Sequence, residues 1–197
     1  MRTLLLAIIM VAASGAAQLT WDDGIPSASI VTSNDWLYAA SFESSGFMAE
    51  CLELYVQANA GWNLEIKVYS FPDNPQFWHP ESVDWSSPVV LDTILTSPPT
   101  YLDGWAIINL PSTLPLNDIT WVTLHQSGPY SEHLHIWVDD YPTPDGSPPG
   151  DYFHSYLSTY PIPGSWGIPN GDIMLRIDDG LTVGLRPDTW GSMKTLF

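Results

Sequence analysis

Two groups of side chains in this sequence have the types and spacing to do chemistry. The first is a set of carboxylates in two similar runs, Asp22-Asp23-Gly24 near the start and Asp178-Asp179-Gly180 near the end. Neighbouring carboxylates repel unless a hard cation joins them, and oxygen-rich loops of this kind suit calcium. If the first and last strands lie side by side, Asp22, Asp23, Asp178 and Asp179 can together hold a structural Ca2+. The plain alternative is two ordinary turns, because Asp and Gly are the residues turns use. The second group is aromatic and imidazole: Trp121, His125, His133, His135 and Trp137. A hairpin joining 121–127 to 133–140 would set His125 near His133, Thr123 near His135 and Trp121 near Trp137, all opposite Val122, Leu124, Leu134, Ile136 and Val138. A sugar stacks its apolar face on a flat ring and offers hydroxyls to neighbouring imidazoles, so such a face would bind carbohydrate. The competing readings are a tryptophan-rich second packing layer, a covering loop, or an interface with another copy.

His133-Leu134-His135, followed by Asp139, also imitates the metal motif of cupin enzymes, since two His at i and i+2 share a strand face. The imitation stops there. A second element should bring another His from a separate strand, and His154 follows a Pro-rich loop at the wrong spacing. No Gly-x-Ser-x-Gly elbow, phosphate-cradling glycine loop or recognisable pair of glycosidase acids accompanies it, and Cys51 lies within an alternating strand. The expectation is a protein that is not an enzyme, with a metal-dependent enzyme as the remote alternative.

The composition narrows the partners. Lys and Arg number 5 against 22 Asp and Glu, for a formal charge of -17, so phosphate backbones and anionic lipid headgroups are repelled and nucleic acid is excluded. Met1-Arg2-Thr3, the apolar run Leu4 to Ala13 and the small residues Ser14 to Ala17 read as a secretory signal peptide over 1–17. No later run is long enough to span a bilayer. With Cys51 as the sole cysteine, no internal disulfide can form, so an exported chain depends on core burial, ions or association.

The elements that must carry these residues are strands. Trp62, Leu64, Ile66 and Val68 alternate with Asn63, Glu65, Lys67 and Tyr69, the period of a half-buried strand. The same period runs through Leu52 to Val56, Ala106 to Leu110, Val122 to Leu124, Leu134 to Val138 and Ile173 to Ile177, with further strands near Trp36 to Phe42, Val89 to Leu95 and Tyr152 to Leu157. Pro- and Gly-rich loops separate them. Eight to ten such strands, each with one apolar face, predict an all-β, antiparallel two-sheet sandwich of jelly-roll type over 18–180. The remaining 181–197 form a tail in which Asp188 can cap a short helix, with Trp190, Met193 and Phe197 along one apolar edge that could engage a partner.

Trp21-Asp22-Asp23-Gly24, the strand pair Leu52 to Val56 and Leu64 to Ser70, Gly104-Trp105, His135 to Asp140 and Gly171-Asp172-Ile173-Met174-Leu175-Arg176 resemble β-sandwich modules of large secreted or surface proteins of environmental bacteria. The tail Thr189-Trp190-Gly191-Ser192-Met193-Lys194 is similar to a segment that follows such modules. The resemblance implies an extracellular or cell-surface, non-catalytic module. The leading functional expectation is therefore a structural or adhesive protein that partners itself or other extracellular proteins; the alternative is a carbohydrate-binding module.

Overall fold

The computed structural model describes residues 18–22, 24–31, 36–58, 63–72, 80–96, 102–127, 134–139, 155–159 and 171–180. The expected leader over 1–17, the tail over 181–197, and Asp23 and His133 lie outside the described residues. The described residues form eleven strands: β1 (Gln18–Thr20), β2 (Pro26–Val31), β3 (Trp36–Glu43), β4 (Met48–Ala58), β5 (Asn63–Phe71), β6 (Leu91–Thr96), β7 (Leu102–Pro115), β8 (Ile119–Ser127), β9 (Leu134–Asp139), β10 (Ser155–Thr159) and β11 (Leu175–Asp178). A 3-10 turn over Pro80–Ser82 is the only helical element among the described residues, and no helix there is long and apolar enough to cross a membrane.

The pairings nest. β5 pairs with β6, β4 with β7, β3 with β8 and β2 with β9, all antiparallel. This is one long hairpin rolled so that successive pairs fall alternately into two sheets, which is the jelly-roll arrangement anticipated from the strand pattern. Sheet A runs from β7 to β4; the other side of β4 is shared by β11 and β9, which carry β1 and β2 respectively. Sheet B has the order β10-β3-β8-β5-β6.

The roll corrects one expectation. β8 and β9 are neighbours in sequence but do not form a hairpin: β8 lies between β3 and β5 in sheet B, and β9 lies between β2 and β4 in sheet A. Trp121 and Trp137 are therefore on opposite sides of the sandwich. The physical reason is that each strand needs an apolar face against the other sheet, and β8 satisfies its edges with strands that were already adjacent in the roll.

The period-two pattern fills the space between the sheets. Leu52, Leu54 and Val56 of β4 and Leu134, Ile136 and Val138 of β9 meet Tyr38 and Phe42 of β3, Leu64, Ile66 and Val68 of β5, and Val122 and Leu124 of β8. Nearly all are fully buried, each stabilising the fold by about 1.5–3 kcal/mol relative to exposure. A second apolar cluster lies on the outside of sheet B, where Tyr69, Phe71, Ile119, Trp121 and Tyr156 are covered by Val83, Trp85 and Val89 from the connection between β5 and β6.

One glycine shapes sheet A. Gly171 sits at a φ of 137°, and a Cβ there would collide with the carbonyl oxygen of Asp139. This close approach lets the chain entering β11 wedge between β9 and β4, with the Asp139 amide donating to Asp172, Met174 to Trp137, and Tyr55 to Met174.

Candidate ligand-binding face

Because Leu52, Leu54 and Val56 point inward, the intervening Cys51, Glu53, Tyr55 and Gln57 of β4 point outward. The same phase turns out Asp103, Trp105 and Ile107 of β7, His135, Trp137 and Asp139 of β9, and Arg176 and Asp178 of β11. Register then arranges these residues in rows across the outside of sheet A.

The central row is aromatic. Trp105 and Tyr55 are directly opposed, with ring centroids 5.3 Å apart at 84°, and Tyr55 meets Trp137 at 6.2 Å and 82°. Edge-to-face contacts of this kind add to the stability that area burial supplies. All three rings are half-buried. The indole N–H of Trp137 is buried without an acceptor, a donor that costs about 1–3 kcal/mol to leave unmet.

Two residues along each strand, roughly 7 Å away, runs a polar row: exposed Asp103 opposite Gln57, and Gln57 opposite His135. His135 shares a 3.1 Å hydrogen bond between its Nδ1 and the Ser29 hydroxyl. The Tyr55 hydroxyl lies at this edge; burial, and secondarily the charge of Asp103, push its pKa above the usual phenol value.

On the other flank Arg176 reaches over Glu53 and stacks on one face of Trp105, its guanidinium carbon 3.9 Å from the ring centroid. The guanidinium is itself fixed by Asp22: Nε donates to both carboxylate oxygens at 2.9 and 3.1 Å, and an Nη donates to Oδ1. Thr20 adds a hydroxyl donor to the same carboxylate at 2.6 Å. The chain Asp22, Arg176, Trp105 thus ties the N-terminal strand to the aromatic row. Below it, Gln18 donates to Asp178 at 3.2 Å and to Glu53 at 3.4 Å, and the Gly180 amide donates to Asp178 at 2.8 Å.

The sequence-derived candidates divide. The first and last strands do lie side by side, but their register sets Asp178 against Gln18 and Asp22 beyond the Thr20–Arg176 pair, at opposite ends of the two strands. The repulsion that argued for calcium is met for Asp22 by Arg176, and Asp178 accepts from Gln18 and Gly180; Asp179, next along the chain, is half-buried. Among the described residues no three His, Cys, Asp or Glu are grouped to hold a metal ion. Of the described members of the aromatic and imidazole set, only His135 and Trp137 lie on this face. Trp121 is fully buried on the other side, between Trp85 at 5.8 Å and Tyr156 at 5.6 Å, and buried His125 has its Nδ1 3.3 Å from Glu65. The proposed two-tryptophan, three-histidine face therefore does not assemble. Asp139, the carboxylate of the cupin-like run, is buried and accepts the Asp172 amide at 2.9 Å. Trp190, Met193 and Phe197 lie outside the described residues.

Tyr55, Gln57, Asp103 and Trp105 were missed as site residues. Their signal was present in the phase of the alternation, which already turned Tyr55 and Trp105 away from the core. No family model matches the chain, and no curated protein or solved structure matches it either.

Proposed function

We propose that this chain is a non-catalytic, extracellular adhesive module that holds carbohydrate on the outside of sheet A. One observation carries the reading: a half-exposed row of Trp105, Tyr55 and Trp137 runs beside a parallel row of Asp103, Gln57 and His135. Rings supply the apolar surface on which a pyranose stacks, and the carboxylate, amide and imidazole supply acceptors and donors for its hydroxyls. Arg176 holds one face of Trp105, which pre-organises the indole and lowers the ordering cost of binding. Among the described carboxylates near these rows, Asp22, Glu53, Asp139 and Asp178 are buried. Among the described residues of the two rows no second acid stands beside Asp103, where glycoside hydrolysis uses an accessible pair, which supports binding over catalysis. The leader-like run over 1–17 supports export.

Electrophoresis of the purified protein through gels containing soluble polysaccharides tests the reading. Retarded migration in at least one gel, lost in Trp105→Ala while the variant stays folded by circular dichroism, is the expected result. Unretarded migration in every gel, or retardation that ignores the substitution, overturns it.

A further inference from the structure

We infer that the ligand of this face is a neutral, flat chain of equatorially linked sugars lying across β7, β4 and β9, and that acidic polysaccharides are rejected. The inference rests on the carbohydrate reading above and adds the charge and the shape of the ligand.

The charge follows from where the cations are. Arg176 and Lys67 are the only Lys or Arg among the described residues. Arg176 is committed to Asp22 and to the back of Trp105. Lys67 is on the outside of the opposite sheet, between Glu65 at 3.1 Å and Asp92 at 3.8 Å. A uronate or sulfate laid on the aromatic row would instead meet the exposed carboxylate of Asp103, within a chain whose formal charge is -17. Hydroxyls suffer no such repulsion, and a carboxylate is a strong acceptor for them.

The shape follows from the row. Trp105 and Trp137 stand on either side of Tyr55, each in edge-to-face contact with it, so the two indoles engage different sugar units of one chain. The polar row lies along one side of the aromatic row only, because the other side is filled by Arg176 over Glu53. A ribbon with flat faces and hydroxyls along its edge fits both rows at once. A chain with axial linkages curls away from a straight row after a unit or two.

Hydroxyethylcellulose and carboxymethylcellulose share a backbone and differ in charge, and soluble starch supplies the axial linkage. Affinity electrophoresis with these three probes is expected to give at least tenfold tighter binding to hydroxyethylcellulose than to either of the others. Asp103→Lys is expected to narrow the gap to carboxymethylcellulose at least fivefold, while Glu81→Lys, at an exposed acid of the Pro80–Ser82 turn, leaves it nearly unchanged. Equal or tighter binding of carboxymethylcellulose or starch, still abolished by Trp105→Ala, overturns this inference and spares the carbohydrate reading. Equal effects of the two lysine substitutions show that only overall charge discriminates, and overturn the role given to Asp103. Absence of binding to any probe, or binding indifferent to Trp105→Ala, overturns both.

Discussion

The two outer faces of the sandwich carry the same kinds of residue and have opposite fates. On sheet B the rings are sealed: Trp85 packs edge-to-face on Tyr69 at 5.2 Å and on Trp121, and its own N–H donates to the Pro80 carbonyl at 3.0 Å, fastening the covering segment to itself. On sheet A, Trp105, Tyr55 and Trp137 stay half-buried, and Arg176 is stacked on one of them. A ring on a strand's second face is thus core or surface according to what the neighbouring connection does. The β5–β6 connection is long and brings its own apolar residues, Val83, Trp85 and Val89, to the rings it covers.

That contrast predicts a division between stability and binding. Trp121→Ala, which empties a fully buried site, is expected to cost about 4 kcal/mol in urea unfolding and to leave carbohydrate affinity intact under conditions where the protein stays folded. Trp105→Ala should do the reverse, with binding lost and stability lowered by no more than about 1 kcal/mol. If Trp105→Ala unfolds the protein as severely as Trp121→Ala, the two faces are equivalent and the distinction is void.

Arg176→Met should come next in size. It leaves Asp22, whose side chain is fully buried, without its cation, at an expected cost of about 3 kcal/mol. Adding Asp22→Asn should recover more than half of that loss, as read by the urea midpoint, whereas a further loss would show that Asp22 draws its support from elsewhere. The sugar affinity of Arg176→Met should fall as well, because the indole loses its backing.

A third expectation concerns the core between the faces. Burial pushes the Tyr38 phenol from its ordinary value near 10 up to about 12. The folded state then holds a proton that the unfolded chain has released, so this contribution is complete below pH 10 and drains away as pH rises from 10 towards 12. Tyr38→Phe should flatten that part of an alkaline stability profile; an unchanged slope would assign it to other groups. Gln57→Ala has the smallest expected effect, within about 0.5 kcal/mol on stability, with severalfold weaker binding in the same gels.

Much of the fold could be read from residue order alone. Alternation located β4, β5, β7, β8, β9 and β11, because each buries one face and the apolar period is a direct record of that burial. β1 and β2 escaped notice: β1 is only three residues long and β2 begins with Pro-Ser-Ala-Ser, so neither writes a clear period. Pairing was the harder problem. Proximity in sequence suggested β8 against β9, but pairing in the roll is set by which edges remain when the long hairpin folds over, and strand sequences do not encode this locally. The same gap explains the site. Trp137 and His135 were correctly turned outward, whereas their true companions, Tyr55 and Trp105, come from strands about 80 and 30 residues earlier.

The antiparallel match of Gln18 with Asp178 has a mechanical consequence. A load drawing these two ends of the sandwich apart would peel β1 from β11 one residue pair after another, Gln18 first and Thr20 last, instead of sharing the force among them. Resistance would then pass to the clasp of Asp22 on Arg176, just behind the Trp105 ring. On the adhesive reading proposed above, tension through these ends would disturb the Trp105 face before it reached the core.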